Sequence, residues 1–204
     1  MNRIPEKADV TGLILAGGRG TRMGSLDKGL QHFQGQPLFL HAARRLAPQV
    51  GTILVNANRH FEAYAQAGFP VIPDDPVTFS GPLAGFAAGL RQCRTPYMAT
   101  VPCDSPFFPD TLVSVLGMAL AKENADLAVA VTGTHPPYAP QPVFCLMKQA
   151  LLPHLEAFLE TGQRQIAAWH ASLKVVYAPF ADEAAFYNIN TLEALENLEN
   201  SRIK

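Results

Sequence analysis

The amino-acid sequence predicts an α/β fold: a single three-layer domain with a mostly parallel sheet and helices on both faces. Three observations lead there. Short apolar runs alternate along the chain with longer stretches whose apolar residues recur at helical spacing. Glycine and proline punctuate the junctions. The length, 204 residues, suits one domain, and no internal repeat or linker divides it.

The elements are expected in this order. Residues 12–16 (Gly-Leu-Ile-Leu-Ala) form an apolar run ended by glycines, the pattern of a buried parallel strand. Over 37–48, Leu38, Phe39, Ala42, Ala43 and Leu46 share one helical face, with Arg44 and Arg45 mostly off it. A second strand is expected over 52–55, a weak helix over 61–67 and a third strand over 70–72. The helix over 83–92 is entered through Gly81 and Pro82, with proline in the first turn as helices prefer. A fourth strand (97–101), a helix (109–122) and a fifth strand (126–131) follow. The last third is less regular. It holds a proline-rich loop, a short strand near 142–146, a helix over 148–161, a strand near 173–177 and a final helix over 191–200. The expected organisation is a flexible extension over 1–10 and one domain over 11–200.

Composition excludes several classes. Apolar residues make up 48% and charged residues 16%, which is too apolar for a disordered chain. The formal net charge of −1 leaves no cationic surplus to neutralise a polynucleotide. Cys93, Cys103 and Cys145 are odd in number and lack metal-ligand spacing, as expected of a reducing compartment. The uncharged run 127–147 contains Gly133, Pro136, Pro137, Pro140 and Pro142, so it is no spanning helix. A soluble, cytoplasmic protein without nucleic-acid or membrane partners is expected.

In open α/β sheets ligands bind beyond the carboxyl ends of the strands. After the first strand comes Leu15-Ala-Gly-Gly-Arg-Gly-Thr-Arg-Met-Gly-Ser-Leu-Asp-Lys-Gly-Leu30. Glycines bring successive N–H groups close to an anion, and Arg19, Arg22 and Lys28 supply cations, so the loop reads as a polyphosphate site. It is not a P-loop, because Ser25 rather than Lys follows Gly24. Nor is it a dinucleotide fingerprint, since Met23 stands where the third glycine belongs. After the fourth strand, Asp104 is placed either to hold Mg²⁺ or to cap the next helix. Asn56, Asn58, Arg59 and His60 follow the second strand, and Asp74 and Asp75 the third. Guanine offers N1–H and N2–H donors, which a fixed carboxylate or amide oxygen accepts; the alternative is local turn hydrogen bonding.

The loop L-A-G-G-x-G-x-R-M-G-x-x-D-K-G-L resembles the signature of the molybdenum cofactor guanylyltransferases. These sit within the nucleotidyltransferase superfamily of the sugar-nucleotide pyrophosphorylase type. Related cytidylyltransferases read L-A-A-G here, so Gly17 favours the guanylyl branch. Asn-Ala-Asn-Arg-His at 56–60, Gly-Pro-Leu-Ala-Gly at 81–85 and Gly-Gln-Arg at 162–164 resemble further family segments. Residues 186–195 are similar to F-x-N-x-N-T-P-E-E-L, with Leu192 in place of proline. One departure is Pro140-Gln-Pro-Val143, where many relatives carry a His-Pro stretch.

The resemblance implies a Rossmann-like domain and a Mg²⁺-dependent transfer of GMP from GTP to the phosphate of molybdopterin or Mo-molybdopterin, releasing pyrophosphate. It implies GTP contacts at Leu15, Ala16, Gly17, Gly18, Arg19, Gly20, Lys28, Asn56, Asp74, Gly81 and Asp104, with Asp104 holding the metal. Lys28, Arg22 and Asp104 are the expected catalytic residues, and Arg164, Asn188 and Asn190 the expected molybdopterin contacts. Residues 11–110 form the GTP and Mg²⁺ half and 125–200 the molybdopterin half. Transient contacts with other molybdenum-cofactor proteins are also expected. The alternatives are a cytidylyl or sugar-phosphate nucleotidyltransferase and a non-catalytic GTP-binding regulator.

Overall fold

A computed structural model describes residues 3–17, 27–75 and 81–201. Strand β1 (Val10–Leu15) pairs in parallel with β4 (Thr52–Asn56) on one side and with β6 (Tyr97–Pro102) on the other. The chain winds outward from β1 through β4 to β5 (Val71–Ile72), then crosses back to lay β6 against the opposite edge of β1. The winding therefore reverses at β1, the switch point outside whose strand ends open α/β sheets place their ligand crevice. The full order is β5-β4-β1-β6-β8-β7-β9. Strands β7 (Leu127–Thr132) and β9 (Val175–Phe180) pair in parallel, and β8 (Ala139–Lys148) runs antiparallel to both β6 and β7.

Side chains alternate across each strand, so β1 feeds two apolar layers. Ile14 joins a cluster with Phe39 and Leu46 of α1 (Leu38–Leu46), Tyr64 of α2 (Phe61–Ala65) and Leu116 and Leu120 of α4 (Leu112–Glu123). Leu13 joins the other, with Phe86 and Leu90 of α3 (Pro82–Gln92), Leu155 and Leu159 of α5 (Leu152–Glu160) and Trp169 of α6 (Ile166–Ala171). The sheet is thus covered on both faces, as the periodicity predicts. Residues 3–9 carry a 3-10 turn, Lys7–Asp9, with Arg3 paired to Asp9 at 2.7 Å. No helix among the described residues is long and apolar enough to cross a membrane, and all three cysteines are free and buried.

The structure revises the less regular parts. The strand expected near 142–146 is ten residues long. Its pairing with β7 slips between Val129, opposite Cys145, and Ala130, opposite Gln141. At this slip residues 142–144 pass without a partner on β7, and Pro142 has no N–H to give the ladder. The expected helix over 148–161 is a 3-10 turn, Gln149–Leu151, followed by α5 with Pro153 in its first turn. A hairpin joins β2 (His32–Phe33) to β3 (Gln36–Pro37), its turn residues Gln34 and Gly35 both left-handed at φ 51° and 75°.

A third apolar cluster gathers Phe33, Leu38, Ile189 and Leu195. Leu195 lies on the last helix, α7 (Leu192–Ser201). This cluster presses the C-terminal segment against the hairpin that follows the glycine-rich loop. It thereby brings residues 188–190 to the mouth of the crevice.

Candidate nucleotide site

Beyond β1, the backbone of Ala16 and Gly17 lies between the ends of its two neighbours. Ala16 N–H donates to the Asn56 carbonyl at 2.8 Å, and Cys103 N–H donates to the Leu15 carbonyl at 3.1 Å. A Cβ on Gly17 would stand 2.8 Å from Asn58 Nδ2 and 3.1 Å from Asn56 Oδ1, so a larger residue here would have to displace the Asn58 amide. Gly18, Arg19, Gly20 and Arg22 lie outside the described residues.

On one side of Gly17 is an array of two amides and a carboxylate. Buried Asn56 donates through Nδ2 to the Ile72 carbonyl at 3.2 Å and to Asp74 Oδ1 at 2.8 Å. Asn58 donates through Nδ2 to Asp74 Oδ2 at 2.7 Å and to the Gly17 carbonyl at 3.3 Å, and its Oδ1 accepts the Asp74 N–H at 2.8 Å. Both Asp74 oxygens are thus oriented by amides, and each keeps lone-pair capacity for a further donor. The expected set includes Asn56 and Asp74 but not Asn58. The Asn-x-Asn spacing at a strand end, which turns alternate side chains the same way, is the signal for it.

On the other side three distant segments meet. Lys28 lies on a 3-10 turn, Lys28–Leu30, whose N-cap is Asp27. Its Nζ donates to Asp104 Oδ2 at 3.1 Å and to Asn190 Oδ1 at 2.7 Å. Asp104 directly follows Cys103 at the end of β6, and its carbonyl accepts the Ile189 N–H at 2.8 Å. Ser105 Oγ donates to Asn188 Oδ1. Ile189 is fully buried, so Asn188 and Asn190 both turn away from the core toward the crevice, as alternation predicts. Thr191 Oγ1 accepts the Ala194 N–H at 3.1 Å and so caps α7.

Gly81 caps α3 at φ 88°, a backbone conformation that favours glycine, and the positive end of the helix dipole lies there. Arg164 stands apart, in the loop between α5 and α6. Its Nη1 donates to the carbonyls of Leu159 at 2.7 Å and Gln163 at 2.6 Å. Burial, with Asp104 and then Asp27 adding to it, pushes the Cys103 thiol well above its ordinary range. It stays protonated and packs, and is no nucleophile.

Among the described residues no three of His, Cys, Asp and Glu cluster into a cage. Asp104, 14% exposed, is a single hard oxygen donor beside a lysine. That suits Mg²⁺, which retains waters and binds through one or two carboxylates together with phosphate oxygens.

A mostly parallel α/β sheet whose winding reverses at β1, a glycine-rich sequence following that strand, an amide–carboxylate array and a Lys–Asp pair define a nucleotide-handling domain of the nucleotidyltransferase type. The chain belongs to the MobA-like NTP transferase family, whose sequence model matches residues 12–175. It is 56% identical to the molybdenum cofactor guanylyltransferase of Bordetella petrii, across 95% of this chain and 98% of that protein. It is 52% identical to the protein of the same name from Bordetella pertussis, across 96% and 99%. Its fold matches the crystal structure of molybdopterin-guanine dinucleotide biosynthesis protein A from Archaeoglobus fulgidus with a TM-score of 0.75. That match has 24% identity and spans 95% of this chain and 98% of that one. The family expected from the loop motif is therefore the family found.

Proposed function

We propose that this protein transfers the guanylyl group of GTP to the phosphate of molybdopterin, releasing pyrophosphate. One geometric observation carries the reading. Lys28, from the expected GTP half, bonds at once to Asp104 and to Asn190 of the expected molybdopterin half. The near full-length identity to named guanylyltransferases supports it.

The acceptor is a phosphomonoester, whose second pKa of about 6 leaves it largely dianionic at neutral pH. It needs no general base, and the obstacle is repulsion between anions. Catalysis then rests on alignment and on neutralising charge. Gly17 and the residues after it hold the triphosphate through backbone N–H groups, and Lys28, with Arg19 and Arg22, balances its charge. Asp74, fixed by Asn56 and Asn58, accepts from the guanine N1–H and N2–H. Asn188 and Asn190 face the acceptor, whereas Arg164 would reach it only by leaving the carbonyls of Leu159 and Gln163. Asp104 would hold Mg²⁺, which when bound offsets charge on the phosphate oxygens. A cytoplasmic setting fits the three free cysteines.

The test is product analysis after mixing the protein with GTP, Mg²⁺ and molybdopterin. Pyrophosphate equimolar with a pterin–guanine dinucleotide is expected, with CTP and ATP much slower. Equal efficiency with CTP would defeat the guanylyl assignment. No pyrophosphate with any acceptor would leave only a GTP-binding protein.

A further inference from the structure

We infer that Tyr64, Asp27 and Arg59 form a positioning device for Lys28, tying its amine to the loop that carries the base-side amides. The inference rests on the phosphate role of Lys28 proposed above.

Asp27 is a buried carboxylate, its side chain 4% exposed. Such a group is tolerated only when it is paired and hydrogen-bonded. Its Oδ1 accepts the Tyr64 hydroxyl at 2.5 Å and the Gly29 N–H at 3.2 Å, and Arg59 Nε lies 3.6 Å from its Oδ2. Its carbonyl accepts Leu30 N–H at 3.2 Å and Gln31 Nε2 at 2.9 Å. Asp27 therefore closes the short turn from which Lys28 projects, through both its backbone and its side chain.

Tyr64 fixes where that carboxylate sits. Its ring is fully buried and packs edge-on against Phe39 with centroids 4.7 Å apart. Phenylalanine would supply all of that packing, so the hydroxyl has a separate use, and its partner is Asp27. Burial, then the neighbouring Cys103 and Asp27, push the phenol far above its ordinary range, so it donates at any working pH. Gly29 confirms the tightness: a Cβ there would stand 2.4 Å from the Tyr64 hydroxyl. Glycine is needed at 29 for space, since its φ is not left-handed.

Arg59 completes the connection. It follows Asn58, which holds Asp74 and the Gly17 carbonyl. A displaced Asp27 would disturb Lys28 on one side and the Asn58 loop on the other. Tyr64, Asp27 and Arg59 thus act through Lys28 rather than on the substrate.

The test is a double-mutant cycle of Tyr64→Phe with Lys28→Ala, read as single-turnover pyrophosphate release and, separately, as GTP affinity. A hydrogen bond to a charged group is worth roughly a factor of ten or more. Tyr64→Phe is therefore expected to lower kcat/KM for GTP about tenfold in the otherwise native protein, and less than about twofold once the amine is gone. Equal factors in both backgrounds would show a purely structural cluster and overturn the inference. If Tyr64→Phe does not fold, Arg59→Gln, a third exposed in the native protein, takes its place in the same cycle. A native protein that neither binds nor turns over GTP would overturn the guanylyl reading and this inference with it. An active one with additive factors would overturn the inference alone.

Discussion

The two sides of the crevice are built differently. On the proposed base side, Asn56, Asn58 and Asp74 come from one stretch of chain, and their polar atoms are largely spent on one another. On the proposed phosphate side, Lys28, Asp104 and Asn190 come from three regions, the farthest pair 162 residues apart, and a single amine joins them. The base side is an assembled acceptor that needs no ligand to order it. The phosphate side is a meeting of charges in which Lys28 has three donors on a flexible stem and can exchange protein oxygens for phosphate oxygens. On the proposed reading, selectivity would belong to the rigid side and turnover to the adjustable one, since rigid hydrogen bonding discriminates and well-placed charge accelerates.

The largest expected effect tests the adjustable side. Asp104→Asn keeps the side chain's shape but makes a poor magnesium ligand. Guanylyl transfer is expected to fall by at least about 10²-fold, as when one well-placed electrostatic group is lost. GTP affinity should change little, because the loop amides and Lys28 remain. Single-turnover pyrophosphate release titrated with Mg²⁺ measures the first, and equilibrium binding the second. A near-normal rate at ordinary Mg²⁺ would reduce Asp104 to a turn residue. Lys28→Ala is expected to differ in kind, weakening GTP binding as well as slowing transfer, by roughly 10–100-fold in kcat/KM. Wild-type turnover at subsaturating GTP would remove Lys28 from the site.

On the rigid side, Asn58→Ala frees Asp74 Oδ2 and the Asp74 N–H together. The loss should appear as selectivity. The ratio of kcat/KM for GTP to that for ATP is expected to drop about tenfold, in keeping with ~1–3 kcal/mol for an acceptor left mispaired once a bound base covers it. An unchanged ratio with slowed transfer would erase the proposed division of labour.

The same contrast explains what the sequence revealed. The glycine-rich loop, Asn56, Asp74 and Asp104 were legible because each directly follows an apolar run that reads as a strand, and parallel strands deliver their ends to one crevice. The closeness of Lys28 to Asn190 was not legible. It depends on Ile189 and Leu195 packing against Phe33 and Leu38, a contact between apolar residues that carries no periodic signal across so long a separation. Phe33 belongs to a hairpin of two-residue strands, too short for a period to show. Helix α6 escaped notice for the same reason, with six residues spanning less than two turns. Tyr64 reads as an ordinary apolar helix residue, and only its hydroxyl, placed by tertiary packing, exposes its tie to Asp27.

The smallest effect on activity is expected outside both sides, at His170, and it separates the crevice from the rest of the fold. This ring is 5% exposed on α6, and its Nε2 is buried without a hydrogen-bond partner among the described residues. Burial pushes its pKa down to about 4, from an ordinary 6.5. The folded protein therefore holds the ring neutral where the unfolded chain has already taken a proton. Stability from this source is complete above pH 6.5, falls as the pH drops toward 4, and levels off below that, where both states are protonated. A shift of this size corresponds to about 3 kcal/mol across the window. His170→Leu removes the titrating group while filling similar space. Urea midpoints at pH 7 and pH 4.5 should show the native protein losing roughly 2 kcal/mol more than the variant, because the carboxylates common to both cancel in the difference. Guanylyl transfer at pH 7 should be the same in both. Equal losses on acidification would mean that the ring reaches water in the folded state, and acid sensitivity would then belong to the crevice after all.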